Sequence, residues 1–499
     1  MICSDDTQDG RRRGQGSRSA RVIRGTAAFT AGAILQRAIL FLLLPFFTRI
    51  LSPAEFGEIG VITALAAILS VVVALGLETA IFRGFKARAN TPQAVQFVNT
   101  VGGFALVVPI MVATISMLAA PALSGIFDVP TNALRLASVG VALTTSATLV
   151  PLTLLRAQER LSDYLQLTAL QVLVTPVLTI AFVAVFGWGV AGWMLAYALS
   201  SLVLLIRGLM ILRHHWSLAF DVPALRDALA FGVPLVPHAL SHWGLSVSDR
   251  TILGAYVPPA QVGAYYVAYL ASLPVSLFAI AVSQATQPMF AEATTVEGRA
   301  DIGRIITVQT VLIISLAAAI ALVGPAVASL IFPTDFAATA GLIPWLAVGA
   351  GLFGLYLIPM NAISVMAGRT RRVWIVTLVA AAVNVGLNLV LVPRIGTVAA
   401  AVNTTIGYGL LLGGVFLYMR RVCDPPIPHD WKRIAIGAVV MGVSSAVAGA
   451  VIPPNSGFGL AARIAVIVAA AVTLLIGPFR EEARSGWRAI VPRNVGGQA

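Results

Sequence analysis

Fourteen runs of apolar residues, each about twenty long and parted by short polar breaks, leave this chain little choice of fold. They fall at 27–47, 57–80, 97–119, 133–155, 165–186, 189–212, 228–248, 260–282, 303–323, 342–365, 373–392, 397–419, 433–452 and 460–478. A run of that length crosses the hydrocarbon core as a helix, with every backbone hydrogen bond made within the segment. The sequence therefore predicts an all-α integral membrane protein with about 14 transmembrane helices. Of its 499 residues, 58% are hydrophobic and only 11% charged. The 44 glycines and 27 prolines are spread along the chain, as close-packed and bent spanning helices require. Few connections exceed about 20 residues, which leaves no room for a soluble catalytic domain.

The formal charge of +13 would suggest nucleic acid in a soluble protein. Here the basic residues sit between apolar runs and alternate in density, the signature of cytoplasmic loops. With the N-terminus inside, the inner segments collect Arg83, Lys86 and Arg88, then Arg156 and Arg160, then Arg207, Arg213 and Arg226, and so on to Arg480, Arg484, Arg488 and Arg493. The outer side holds Arg49, Arg135, Arg250, Arg394 and Arg463, so about 27 basic residues face inward against about five outward. Both termini are expected in the cytoplasm, and nucleic acid is excluded as a partner. Residues 1–24, rich in arginine and without a cleavable signal pattern, read as a disordered basic cytoplasmic tail, and 480–499 as a second tail. Cys3 and Cys423 lie far apart and imply no disulfide framework.

An internal repeat recurs at about 200–207 residues. TRILSPAEFGEIGVI (48–62) follows the first run and DRTILGAYVPPAQVGAYYVA (249–268) the seventh, matching Arg49 with Arg250 and Phe56-Gly57 with Val262-Gly263. Six spans per half is even, so the halves enter from the same side as parallel repeats. This predicts two six-helix bundles, 25–215 and 222–421, with an additional C-terminal helix pair at 430–479.

Several polar residues stand where lipid would penalise them. Arg37 lies about ten residues from either end of its span, roughly 15 Å from each surface, too deep to snorkel. Isolated in lipid it would cost at least about 3 kcal/mol, so it is expected to face a cavity or a partner. It matches His238 across the repeat. His238, Ser241, His242, Leu245 and Asp249 recur at i+3 and i+4 in a span that contains Pro234 and Pro237, which predicts a kinked helix with one wet stripe. His238 and His242 have the spacing of two metal ligands, but HALSH lacks a glutamate and a third ligand, so they are read as lining a cavity and no metal is predicted. The bland alternative is histidines bonded between packed helices. Glu78, close to Arg83, reads as an interfacial ion pair with a coupling or gating role as the alternative; Gln284 and Gln287 flank Pro288 and could line an inner gate. Asp249 and Arg250 read as a headgroup-level ion pair, and Asn384, Asn388 and Asn403 as interhelical glue. No GxxxxGK[ST] loop is present and no carboxylate-rich outer loop, so neither ATP hydrolysis nor glycosyl transfer is predicted, and no catalytic residue or cofactor.

FGVPLVP, SDRTILG and VGAYYVAY in the seventh and eighth spans, LPFFTRILSPAEFGEIGVI and LGLETAIFR in the first half, and GRTRRVWIVTLVAAAVNVGLNLVLVPRIGTVAAAVNTTIGY further on occur in an order similar to that of the Wzx-type polysaccharide and lipid-linked oligosaccharide flippases. These belong to the multidrug/oligosaccharidyl-lipid/polysaccharide (MOP) exporter superfamily. The likeness covers both halves; TVAAA (397–401) departs from it, the family more often having a second glycine before the alanines. The resemblance implies a flippase of the bacterial cytoplasmic (inner) membrane that moves a polyprenyl-diphosphate-linked glycan outward by alternating access, for lipopolysaccharide or exopolysaccharide biosynthesis. Its partners would be that substrate, the bilayer, and polysaccharide polymerase and glycosyltransferase proteins. On this reading Arg37, His238, His242 and Arg250 bind substrate, and Glu78, Asp249 and Gln284 serve coupling or gating. A cation-coupled multidrug exporter is the second reading and predicts carboxylates in the cavity; a peptidoglycan-precursor flippase is the third. A non-transporting scaffold leaves the deep arginine unexplained.

Overall fold

The computed structural model describes residues 38–39, 41–88, 91–213, 221–293, 295–423, 427–454 and 456–480. The expected tail 1–24, Arg37 and the C-terminal tail beyond Arg480 lie outside them. Every regular element among the described residues is helical, and twelve helices are long and apolar enough to cross a membrane. The two further spans expected are the first, helical over 41–47, and the seventh, which is broken into short pieces.

In chain order the helices are α1 (Pro53–Ala74), α2 (Leu77–Ala87), α3 (Pro92–Phe127), α4 (Thr131–Ala147), α5 (Thr153–Ala157), α6 (Leu161–Thr179), α7 (Gly189–Leu212), α8 (Val222–Gly232), α9 (Val236–Ser246), α10 (Ser248–Tyr256), α11 (Pro259–Glu292), α12 (Val296–Ile331), α13 (Thr339–Asn361), α14 (Val373–Ile395), α15 (Thr397–Val422), α16 (Trp431–Val451) and α17 (Gly457–Ile476). Their ends follow local chemistry. Ser52 caps α1: its Oγ accepts from the Glu55 amide at 3.3 Å while the Glu55 carboxylate accepts from the Ser52 amide at 2.8 Å, with Pro53 at the first helical position. The second span is interrupted where Leu75 and Gly76 take positive φ (47° and 66°), which separates α1 from α2.

Two compact units are formed: the described residues up to Tyr266 with Thr377–Ala400, and Val267–Val376 with the described residues from Ala401 onward. In the first, α4 packs along α7 at a distance that Gly140 permits; a Cβ there would lie 2.4 Å from the Tyr197 ring. A core of Leu77, Ile81, Phe97, Val101, Leu154 and Leu204 also takes in Ala224 and Ala228 of α8. Outward-facing Val107, Ile110, Met111, Ile115 and Leu118 form an exposed apolar stripe along α3, at home in lipid and costly in water.

In the second unit, α12 gathers α16 and α17 around Val311, Met441, Ala470 and Leu474. Arg463, counted above among the outer-side basic groups, is 4% exposed, inside α17. Its guanidinium donates to Ile452 O at 3.2 and 2.5 Å, Leu322 O at 2.6 Å and Gly449 O at 3.5 Å. Gly449 and Ile452 end α16, whose last carbonyls have no partner within the helix, so the cation caps them from the neighbouring helix.

Candidate functional site

The seventh span is kinked as its prolines demand, and broken more thoroughly than the sequence suggests. α8 ends at Gly232, Val233–Leu235 form one turn of 3-10 helix around Pro234, and α9 resumes with Pro237 in its first turn, where a missing amide is harmless. A second break at Val247 (φ −139°, ψ −25°) has no proline or glycine to announce it. There Ser248 Oγ donates to Gly244 O at 2.5 Å, in place of a regular connection between α9 and α10.

This break divides the wet stripe. His238 and His242 are exposed on α9, whereas Ser241 and Leu245 are buried and Asp249 belongs to α10. The edge of the buried face runs between the i, i+4 pairs 238/242 and 241/245, which periodicity alone assigns to one side. His242 Nδ1 lies 3.2 Å from Ser246 Oγ, and Ser241 Oγ donates to Pro237 O at 2.7 Å, satisfying a carbonyl near the kink. Trp243 reaches across to α1, its indole N–H donating to Ala64 O at 3.0 Å. No reading of the spacing singled out that tryptophan.

Asp249 and Arg250 are paired as expected, but not at an exposed surface. They are 2% and 6% exposed. One Asp249 oxygen accepts from the Arg250 amide at 2.7 Å and lies 3.7 Å from its Nε; the other accepts from the Tyr265 hydroxyl of α11. The guanidinium sits over the Tyr266 ring at 5.1 Å and donates to Ser246 O at 3.5 Å. The carboxylate thus ties α10 to α11 through a charge-assisted bond.

Glu78 pairs with Arg156 at 2.9 Å, at the foot of α2, while Arg83 stacks over the Phe231 ring at 4.8 Å. The expected neighbour was Arg83; a helical turn brings Glu78 instead to α5, which only the fold places nearby. Gln284 of α11 keeps Oε1 buried without a hydrogen-bond partner among the described residues. Asn388 donates to Asn384 Oδ1 at 3.2 Å, both buried on α14, a bond within one helix. Arg37 lies outside the described residues.

The first unit also encloses a cavity of about 390 Å³ between the end of the first span, α1, α6 and α7. That is within the usual size of small-molecule sites, roughly 300–1,000 Å³. Its wall is apolar around Trp193 and Phe47, with Thr63, Ser70, Gln171, Thr175, Thr179 and Tyr197 as polar groups and no carboxylate among the described lining residues. Thr175 Oγ1 is buried there without a hydrogen-bond partner among the described residues. Pro176 and a π-helical stretch, Ile180–Val185, distort α6 beside it, as such stretches frequently do at functional sites.

Among the described residues, twelve helices long and apolar enough to span, with a seventh span broken by a 3-10 turn, define a polytopic membrane protein. The chain belongs to the family described as polysaccharide biosynthesis protein, whose pattern matches residues 46–341. Its fold is shared with solved membrane proteins. It is similar to the lipid II flippase MurJ in an inward closed conformation (13% identity, TM-score 0.65, covering 89% of this chain and 99% of that one). It is also similar to an inward-facing multidrug resistance MATE family transporter of the MOP superfamily (16% identity, TM-score 0.58, covering 80% and 94%). No curated protein matches the sequence.

Proposed function

We propose that this MOP-type transporter flips a polyprenyl-diphosphate-linked oligosaccharide from the inner to the outer leaflet of the bacterial cytoplasmic membrane, with both termini in the cytoplasm. The observation that carries the reading is the family match over residues 46–341, which ties the fold to polysaccharide biosynthesis. The cavity lining favours it over cationic drug export, since no carboxylate is present among the described lining residues to hold a cation. In this reading the repeats 25–215 and 222–421 rock against each other around the substrate, as parallel repeats do.

Arg37, helped by the exposed imidazoles of His238 and His242, holds the diphosphate. A guanidinium offers a planar fork to phosphate oxygens, and its charge-assisted bonds exceed neutral ones in strength. Arg250, committed to Asp249 and Tyr266 in this conformation, would join only after α10 moves. The test is complementation of an export-deficient strain, with membrane abundance measured alongside. Arg37→Ala is expected to abolish surface polysaccharide at normal abundance, and Arg37→Lys to retain part of it because the charge survives without the fork. Full export by Arg37→Ala would reject the diphosphate role.

A further inference from the structure

The pair α16–α17, which lies outside the repeat, carries a basic cavity where α16 begins and α17 ends. Local structure builds it. α17 stops at Ile476 and the chain turns through Gly477 and Pro478, with the Phe479 amide donating to Leu474 O at 3.0 Å. Phe479 is 6% exposed, packed into the core of Val311, Met441, Ala470 and Leu474. That anchor brings Arg480 beside the first turn of α16, which supplies Lys432 and Arg433. The three cations line a cavity of about 540 Å³, and Asp430 is the one carboxylate among its described lining residues.

These four charges are not equivalent. Asp430 serves α16 itself: one oxygen accepts from the Arg433 amide at 3.0 Å as a helix cap, and the other lies 3.2 Å from Arg433 Nε. Arg433 also sits over the Phe479 ring at 5.8 Å, which ties the corner together. Lys432 and Arg480 are exposed and have no carboxylate partner among the described residues. The opposite end of the pair differs. There Arg463 lines a second cavity, of about 500 Å³, but its N–H groups are committed to the carbonyls of Ile452, Leu322 and Gly449. An apolar ridge leads away from the basic cavity. Ile436 lines it, and Val439, Val443 and Val447 follow at helical spacing along α16, 60%, 56% and 58% exposed. Trp431, 56% exposed, stands in the first turn of α16, where an amphipathic ring sits at headgroup depth.

We propose that this cavity binds the headgroup of an anionic phospholipid, with Lys432 and Arg480 on the phosphate oxygens and an acyl chain along Ile436, Val439 and Val443. The chemistry selects that ligand. Two cations without a counter-charge favour a phosphodiester through charge-assisted bonds, and the exposed ridge favours a chain attached to it. A zwitterionic headgroup would bring its own ammonium against the same cations. The arginine count assigns this end to the cytoplasmic side, where basic pockets between spanning helices recognise anionic headgroups. Such binding is independent of what is transported, and it fastens to the bilayer the helix pair that the repeat does not include.

The test is native mass spectrometry of the full-length protein in detergent, titrated with phosphatidylglycerol or with phosphatidylcholine of the same acyl chains. Phosphatidylglycerol is expected to bind more tightly, and Lys432→Gln/Arg480→Gln to weaken it about thirtyfold, at about fivefold per cation, with phosphatidylcholine binding unchanged. Arg371→Gln/Arg372→Gln removes the same charge from an exposed turn that does not line the cavity, and is expected to leave both lipids unaffected. Equal affinity for the two lipids, or equal loss in the two double variants, overturns the proposal. Inorganic phosphate in large excess is expected not to displace the lipid; displacement identifies a site for free phosphate and overturns the lipid assignment. Where Lys432→Gln/Arg480→Gln lowers membrane abundance, the unaltered chain decides, in nanodiscs containing phosphatidylglycerol with a photoreactive diazirine in its acyl chain. Cross-links concentrated on residues 436–443 support the site. Cross-links spread evenly over the lipid-facing helices, or absent from α16, overturn it.

Discussion

The two helix entries related by the repeat begin from similar sequences and are secured in different ways. Ahead of α1, Arg49 is exposed and the turn is held locally by the reciprocal bonds of Ser52 and Glu55. Ahead of α11, Arg250 is buried with Asp249, and a tyrosine sixteen residues on from the carboxylate reaches back to it. A cap within one turn leaves its helix free to move as a unit. A buried pair shared with another helix makes α10 and the start of α11 move together. The first entry is thus a plain helix start and the second a braced corner, although each presents a glycine to the other.

Removing Asp249 is the sharpest way to break that contrast. Asp249→Ala leaves a buried guanidinium without its carboxylate and is expected to destabilise by about 3–5 kcal/mol, read as lost membrane abundance and a lower melting temperature in detergent. Asp249→Ala/Arg250→Ala, which removes both charges, is expected to be milder than Asp249→Ala alone. Arg49→Ala at the equivalent exposed position is expected within about 0.5 kcal/mol of the parent. Equal effects at 49 and 250 would erase the distinction.

Tyr265→Phe tests the brace with a smaller change. It removes one hydroxyl donor from a buried carboxylate, for an expected loss of about 1–3 kcal/mol. Ser52→Ala, at the first entry, removes only a cap and is expected to lose about 1 kcal/mol. Thermal denaturation of the two variants side by side ranks the entries.

The smallest effect serves as a control away from both. His429 lies in the short connection before α16, stacked on Trp431 at 5.1 Å, with Nδ1 2.8 Å from Ile427 O. Burial pushes its imidazole below the ordinary 6.5, against a smaller opposing contribution from the Ile427 carbonyl. The unfolded chain therefore takes up a proton first as pH falls, so stability declines below about pH 6.5 and levels off under the folded value. His429→Gln is expected to flatten that decline in melting temperature; an unchanged slope would assign it to another group.

Much of the architecture was legible before any coordinates. Spanning length and the proline kink in the seventh span are properties of chain-local physics: a helix must be long enough for the bilayer, and a proline removes an amide wherever it sits. The same local logic located His238, His242, Asp249 and Arg250 on one short segment. It could not see the break at Val247, which no breaker residue marks, and so placed the histidines and Asp249 on a single stripe.

What only the tertiary structure decided is which polar groups meet. Glu78 found Arg156 rather than the nearer Arg83, Arg463 turned inward to cap the end of α16, and Asp249 was joined by Tyr265. Each outcome depends on desolvation and on carbonyls or hydroxyls supplied by another helix, and periodicity carries no information about those. Gly57 and Gly263 stand between the two levels. Their correspondence is written in the repeat; that each leaves room for the other's backbone is a fact of the folded chain, because the absence of a side chain has meaning only once something occupies its place.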